Sequence, residues 1–421
     1  MGQTSDVGGT PGQAAGRVTS FWWFGAIFFV FVHSGALAGL YYYPFSSTSW
    51  KTLLLTFVMY QGGMLGVTMG YHRLYSHRAF KAGPVVSVVI AFFGASATQG
   101  SARWWALRHR LHHRYIDDPV HDPYAASLGL LWSHLGWLFY RTQYERMNLI
   151  DTTDLDKDVV ARLQHKYFVP LTFFAAFAVP PLVGQLWGDA LGAFIWAGII
   201  KCVLVWHCTF FINSAAHYHG VQPYSDENTS RGNFILAVLT CGEGNHNFHT
   251  FPQDFRSGPT ALEWDPPKWI LLVLHRFGLV TNLRRARPED MDEAKLHMNL
   301  KAHVRPEVLQ KLYAEGTDEH PSWTIQKAQE YATSAARCLI VIDGYVVDAT
   351  AYLKDHPGGG AIIRKYALRK TQDNAKEQNR SDANPELWKQ ATWAFQGGIN
   401  THSRTAKRRL REFIIAKVAE D

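Results

Sequence analysis

Four apolar stretches, each about 20 residues long, restrict the fold of this chain more than any other feature. Phe21 to Tyr43, Thr52 to Gly70, Phe168 to Trp187 and Leu191 to Asn213 are almost free of charge. As α-helices, each is long enough to cross a hydrocarbon core about 30 Å thick. Pro84 to Gly100 is also apolar but shorter, and it reads as a re-entrant or interfacial helix lying under the polar blocks. An aromatic content of 14%, with 15 Trp and 25 Phe, suits a chain that lies partly in lipid. The expected class is therefore mainly α, a four-helix integral membrane protein.

Charge gives the orientation. The loops at 41–51 and 184–190 are short and carry one basic residue, Lys51, whereas Tyr71 to Lys166 is rich in Arg near both membrane ends. The positive-inside rule puts that block in the cytosol, and four spans then put both termini there too. In a eukaryote the compartment is the endoplasmic reticulum membrane. Residues 1–20 read as a disordered tail and not as a cleavable signal, because the apolar run that follows is too long and too aromatic. Cys202, Cys208, Cys241 and Cys338 form no CxxC pair, so neither a disulfide framework nor a zinc ribbon is expected. The net charge of +7 is spread along juxtamembrane segments. It suits anionic head groups or a phosphorylated substrate, and no nucleic-acid partner is expected.

The polar blocks hold histidines at short spacing: His72 and His77 in HRLYSH, His109, His112 and His113 in HRLHH, His217 in NSAAH, and His246 and His249 in HNFH. HRLHH offers i, i+3 and i+4 on one helix face, and HNFH offers i and i+3. A single such pair is most often ordinary surface or core. Three clusters, each beside a predicted span, point to use, because ionisable groups at membrane depth are costly. Imidazole suits iron, zinc, copper or nickel. Eight imidazoles with Asn213 are too many for one ion and suit two with open positions, which favours a pair of redox-active irons able to use dioxygen.

HRLYSH, RHRLHHRY followed by DDPVHDPY, NSAAH, and GEGNHNFH with FPQDFRSG together resemble the fatty acyl-CoA Δ9 desaturases (stearoyl-CoA desaturases) in their fungal form. The likeness runs from Phe21 to about Leu283 and includes WSHLGWLF and WDPPKW. It implies a four-helix anchor under a cytosolic helical cap that carries a histidine-box diiron site and inserts a cis double bond into a saturated acyl chain. It also implies that His72, His77, His109, His112, His113, His217, His246 and His249 are metal ligands, with Asn213 a ligand through water. The chain departs from the family pattern twice. The third box of the family reads HNxHH, but here Thr250 follows His249 directly, so one imidazole is missing: the site works with one fewer nitrogen, or Glu243 or water completes it, or one iron is held weakly. Leu107-Arg108 stands where the family shows Arg-Asp, which moves head-group contacts to Arg103, Arg108 or Arg110.

The same resemblance implies a dry, kinked tunnel for the acyl chain, with Gln99, Trp105 and Thr209 near its bend. Tyr60 lies twelve residues before His72, about 18 Å deeper along a helix, where it would cap the tunnel, and Met64 would help set its length. C16 and C18 chains both fit this expectation.

A second domain is expected after a charged linker at 285–322. LIVIDGYVVDA reads as two strands around Asp343-Gly344, a hairpin signal. An acidic helix then runs into HPGG at His356, and AFQGGINTHS brings His402. From 323 to 421 the chain is similar to cytochrome b5, a small α+β domain, with His356 and His402 matching its axial haem ligands. A polar insertion at about 370–389 separates the two halves, and the basic run Lys407-Arg408-Arg409 reads as a solvated helix end. No GxGxxG nucleotide site is found, so electrons would come from NADH through a separate reductase. The leading expectation is an acyl-CoA Δ9 desaturase carrying two irons and haem b. The alternatives are a related hydroxylase, a desaturase of another position, or a silent acyl-binding membrane protein.

Overall fold

The computed structural model describes residues 17, 19–251, 253–308, 320–368, 386–399 and 401–419. Most of the N-terminal tail and most of the insertion expected at 370–389 lie outside these residues. Among the described residues, four helices have the length and apolarity to cross a membrane: Trp23–Tyr42, Trp50–Ser76, Phe168–Trp187 and Ala190–Tyr218. The first and third bury only 22% and 28% of their apolar windows, so Phe24, Phe31, Leu182 and Leu186 face outward, as lipid contact requires. The second and fourth bury 50% and 56% and form the inner pair.

The ends of the spans are fixed by local chemistry. Ser49 caps the second span by accepting from the Lys51 amide, and Asp189 caps the fourth by accepting from Gly192. Gly188 closes the third span in the left-handed region at φ 74°. Trp187 Nε1 donates to Thr52 Oγ1 at 3.1 Å, which ties the two short turns together at one end of the bundle.

The second span runs beyond its expected end at Gly70. From Gly66 to Ser76 it winds more widely, and the His77 amide reaches back five residues to the His72 carbonyl at 3.1 Å. Wide turns of this kind gather at functional sites because they re-aim side chains. Gly66 permits a close crossing here, since a Cβ on it would stand 2.2 Å from the Gly94 amide nitrogen. Gly94 belongs to the helix Pro84–Ser96, which turns Ile90, Ala91 and Ala95 inward and leaves Val85, Val88 and Val89 exposed. The helix thus has one packed face and one exposed apolar face. Ser101 then caps Ala102–Arg114, the helix that carries HRLHH, by accepting from the Trp104 amide.

The C-terminal part contains a four-stranded sheet in the order Ser322–Trp323, Ile414–Val418, Tyr345–Asp348, Leu339–Ile342. Asp343 and Gly344 form the expected hairpin turn, both at positive φ (51° and 78°). The helix expected before HPGG is only a single turn, Ala351–Lys354. The segment read as a linker contains the 16-residue helix Pro288–His303, with Asp290 and Ala294 buried. A mainly helical membrane part and a small sheet domain are both present as expected.

Candidate metal centre

The eight motif histidines divide into two groups. His72, His77, His109, His113 and His249 form one, and His112, His217 and His246 form the other, with one ligand nitrogen from each residue lying within 4.8 Å of the rest of its group. The chain positions of the motifs alone would not give this division. HRLHH does not present a single face: His109 and His113 go to the larger group and His112 to the smaller. HNFH also splits, sending His249 to the larger group and His246 to the smaller.

In the larger group, His77 Nε2 lies 2.8 Å from His109 Nε2, and His249 Nε2 lies 2.9 Å from His72 Nε2 and 3.1 Å from His113 Nε2. Trp105 stacks on His109, with centroids 4.7 Å apart and planes at 22°. In the smaller group, His217 Nε2 and His246 Nε2 are buried and have no hydrogen-bond partner. Burial, followed by the charge of neighbouring imidazoles, holds His77, His109, His113 and His246 well below the ordinary imidazole range. His249 is lowered by burial and then by His72 and Arg73. These rings are therefore neutral near pH 7, the form that binds metal.

Acidic and hydroxyl partners fix how several of the rings are turned. His72 Nδ1 lies 3.2 Å from Glu243, His112 Nδ1 lies 2.8 Å from Asp122, and His217 Nδ1 lies 2.8 Å from Thr229 Oγ1. Thr229 Oγ1 in turn donates to Asp117 at 2.8 Å. With Nδ1–H committed, Nε2 of each ring is left to a metal, the usual outer arrangement of a histidine site. Burial disfavours charge on His112, yet Asp122 more than offsets it and raises this ring above its ordinary value. Glu243 sits against burial that would raise it, and Arg73 and His72 hold it down at about 2. The Arg73 guanidinium is fully buried between Glu243 (2.7 Å) and Asp265 (2.9 Å) and also donates to the Phe255 carbonyl. Sequence reasoning missed Arg73, Asp117, Asp122, Thr229 and Asp265. Asp117 and Asp122 lie in DDPVHDPY and Asp265 in WDPPKW, stretches whose acids carry no spacing signal of their own.

Both oxygens of Glu243 are engaged, Oε1 by Arg73 and Oε2 by His72, on the side of the larger group. Asn213 is the last residue of the helical run Lys201–Asn213, one residue before the break at Ser214.

Three of the residues expected along the acyl chain share one apolar cluster. Met64 is buried there with Tyr71, Ala106 and Val205, and Tyr60 and Trp105 pack against it. The Tyr60 hydroxyl donates to the Leu239 carbonyl at 2.9 Å, and Gln99 Nε2 donates to Thr209 Oγ1 at 2.9 Å. Arg103 pairs with Asp156 at 3.0 Å, and the Arg108 guanidinium lies 3.9 Å over the Trp104 ring. Arg110 is tied to Asp154 and to the Tyr75, Ser76 and Asp151 carbonyls, which leaves it a structural role.

On the other side of the larger group, His356 and His402 face each other with ring centroids 6.3 Å apart. His356 Nδ1 donates to the Gly359 carbonyl at 3.1 Å and His402 Nδ1 to the Phe395 carbonyl at 2.8 Å. Burial, then His402, lowers His356 to about 4. The bond to Gly359 leaves His356 Nε2 as an acceptor. A pair of imidazoles facing each other in this way suits a haem iron.

Comparison with known proteins then decides the family. The model described as fatty acid desaturase matches residues 48–250, and that of the cytochrome b5-like haem/steroid binding domain matches residues 324–385. The chain is 35% identical to a probable acyl-CoA desaturase of Schizosaccharomyces pombe, over 91% of this chain and 74% of that one. It is 34% identical to acyl-CoA desaturase 1 of Saccharomyces cerevisiae, over 88% and 68%. With stearoyl-CoA desaturase 5 of Homo sapiens the identity is 33%, over 68% and 88%. The chain belongs to the fatty acid desaturase family. It is thus an oxidoreductase with a fused cytochrome b5-like domain, and its buried, unpartnered imidazole nitrogens fit the metal ions that such an enzyme holds.

The desaturase and haem parts meet across a cavity of about 740 Å³, lined by His77, His113 and Tyr115 on one side and by His356, Phe395 and His402 on the other. The Ile399 carbonyl accepts from Tyr115 Oη at 2.8 Å and from Arg146 at 3.1 Å, and Arg284 donates to the Asp355 carbonyl at 2.7 Å. A charged clamp closes the rim. Arg287 pairs with Glu412 at 2.8 Å, Arg404 pairs with Glu293, and Arg408 pairs with Asp290. Arg408, expected on a solvated helix end, therefore docks against the helix Pro288–His303 within the expected linker.

Proposed function

We propose that the protein is an endoplasmic-reticulum acyl-CoA Δ9 desaturase, with both termini in the cytosol, that inserts a cis double bond into C16 and C18 chains. The juxtaposition of two imidazole groups with an apolar cluster on one side and a bis-histidine pair on the other carries this reading. His72, His77, His109, His113 and His249 would hold one iron, and His112, His217 and His246, with Asn213 through water, the second. Two irons supply the redox chemistry by which dioxygen and two electrons remove two hydrogens from adjacent carbons.

The remaining roles belong to the chain itself. Trp105, Gln99 and Thr209 would hold the bend of the acyl chain against the metal centre, and the dry wall of Met64 and Val205 would keep water from the reacting carbons. Tyr60, fixed by Leu239, would close the far end. Arg103 and Arg108 lie on the helix of the second motif, where the phosphates of the CoA head group would meet them. His356 and His402 would hold haem b with no open coordination site, as electron transfer requires. Fusion keeps that carrier at high effective concentration beside the irons, and NADH–cytochrome b5 reductase would supply it.

Expression in a host lacking its own desaturase, with double-bond position read by mass spectrometry, tests the proposal. The expected products are Δ9-unsaturated C16 and C18 chains, and Tyr60→Ala shifts the ratio toward longer chains. Hydroxylated product, or a bond at another carbon, would overturn the reading.

A further inference from the structure

The two imidazole groups are unequal, and the shortened third motif determines which one is poorer. His249 is the last imidazole of that motif, and it is spent on the larger group, against His72 and His113. Thr250 adds nothing in its place, because its hydroxyl is bound to Ser230 Oγ at 2.7 Å and to the Asn247 carbonyl at 3.2 Å. The smaller group is left with three imidazoles, two of them with buried, unpartnered Nε2 atoms.

Among the described residues, the carboxylates beside the imidazoles are already engaged. Asp122 accepts from His112 Nδ1 and from the amides of Asp117 and Tyr124. Asp117 is taken up by the hydroxyl and amide of Thr229, and Glu243 by Arg73 and His72. The smaller site therefore has protein nitrogens for three positions and must complete its shell with water, including the water that Asn213 would hold.

We propose that the two metal positions differ in kind: the five-imidazole site is tight and stays filled, and the three-imidazole site binds its ion weakly and exchanges it. The proposal rests on the reading of both groups as metal sites. Loss of a single outer-shell partner costs about 10- to 100-fold in metal affinity, so a deficit of two direct imidazoles should separate the sites by more than about 100-fold.

The test is a Co²⁺ titration of the metal-free, full-length protein in detergent, followed by visible absorption, with chelator competition to rank the affinities. The expected result is one tight equivalent and a second that binds more than about 100-fold more weakly. His217→Ala and His246→Ala should remove only the weak equivalent, and His77→Ala and His109→Ala the tight one. The metal-free melting temperature of each variant identifies folding defects, and any misfolded variant is replaced by the other member of its pair. Two equivalents of indistinguishable affinity, or loss of the tight one in His217→Ala, would overturn the proposal and leave the metal-site reading standing. Absence of any saturable Co²⁺ binding would overturn both.

Discussion

The two histidine sites of this protein are held in different ways. In the metal centre, eight imidazoles arrive from four separate stretches of chain, and acids turn three of them: buried Glu243 on His72, buried Asp122 on His112, and half-buried Asp117 through Thr229 on His217. In the haem domain two imidazoles suffice, and backbone carbonyls of Gly359 and Phe395 orient them. Haem brings its own nitrogens, so a domain that holds it would need only two imidazoles. Bare ions bring none, so the membrane half must bury charge to organise its ligands. Buried charge is costly unless fully paired, which makes the metal centre the more fragile of the two.

That contrast gives an order of effects. Arg73→Ala should be the most damaging change, because it leaves Glu243 and Asp265 buried without their cation, a loss of about 3–5 kcal/mol. Thermal unfolding should show it as a loss of the membrane half while the haem absorption band persists. If both were lost together, the two halves would not be independent in stability. Asp122→Asn should come next. It keeps the shape but removes the charge that orients His112, and should lower metal affinity by about 10- to 100-fold, read by chelator competition, with haem content unchanged.

The clamp between the halves should be the weakest element. Its pairs are partly exposed, and each is worth about 0.2–1 kcal/mol. Arg404→Glu should loosen docking, and Arg404→Glu with Glu293→Arg should restore it, as followed by spin-label distances between the two parts. For Asp290, burial acts to raise the pKa, but Arg287 beside it and Arg409 and Arg408 across the seam lower it, and Arg287 from across the seam also lowers that of Glu412. A depressed carboxylate contributes its full stability above its unfolded pKa and loses it as pH falls through the folded one. Docking should therefore be unchanged from pH 7 down to about 5 and weaken below about 4. Weakening that began near pH 6 would point instead to a histidine.

Much of this was legible in the sequence. Uncharged length shows the spans, and short spacing shows the histidine motifs. Asp343-Gly344 and HPGG mark the haem domain. The partition of the imidazoles was not legible. His112 and His113 are adjacent in sequence, yet they point about 100° apart on a helix, and which ion each serves depends on how that helix packs against the widened end of the second span. The end of that span was also hidden, because hydropathy falls at His72 while the helix continues to Ser76. The clamp pairs Arg408 with Asp290 across 118 positions, and no local pattern announces such a partner. Glu243 looked like a spare ligand because its place in GEGNH says nothing of Arg73, 170 positions earlier.

The central claim is that the two halves form one electron path, from the His356–His402 pair to the imidazole groups beyond the shared cavity. It is tested most directly by expressing the full chain and its His356→Ala variant in cells that lack both a desaturase and free cytochrome b5, and measuring unsaturated acyl chains. The account predicts unsaturated product from the parent chain and almost none from the variant, with the variant still present in the membrane at normal amount. Undiminished product from His356→Ala would contradict it.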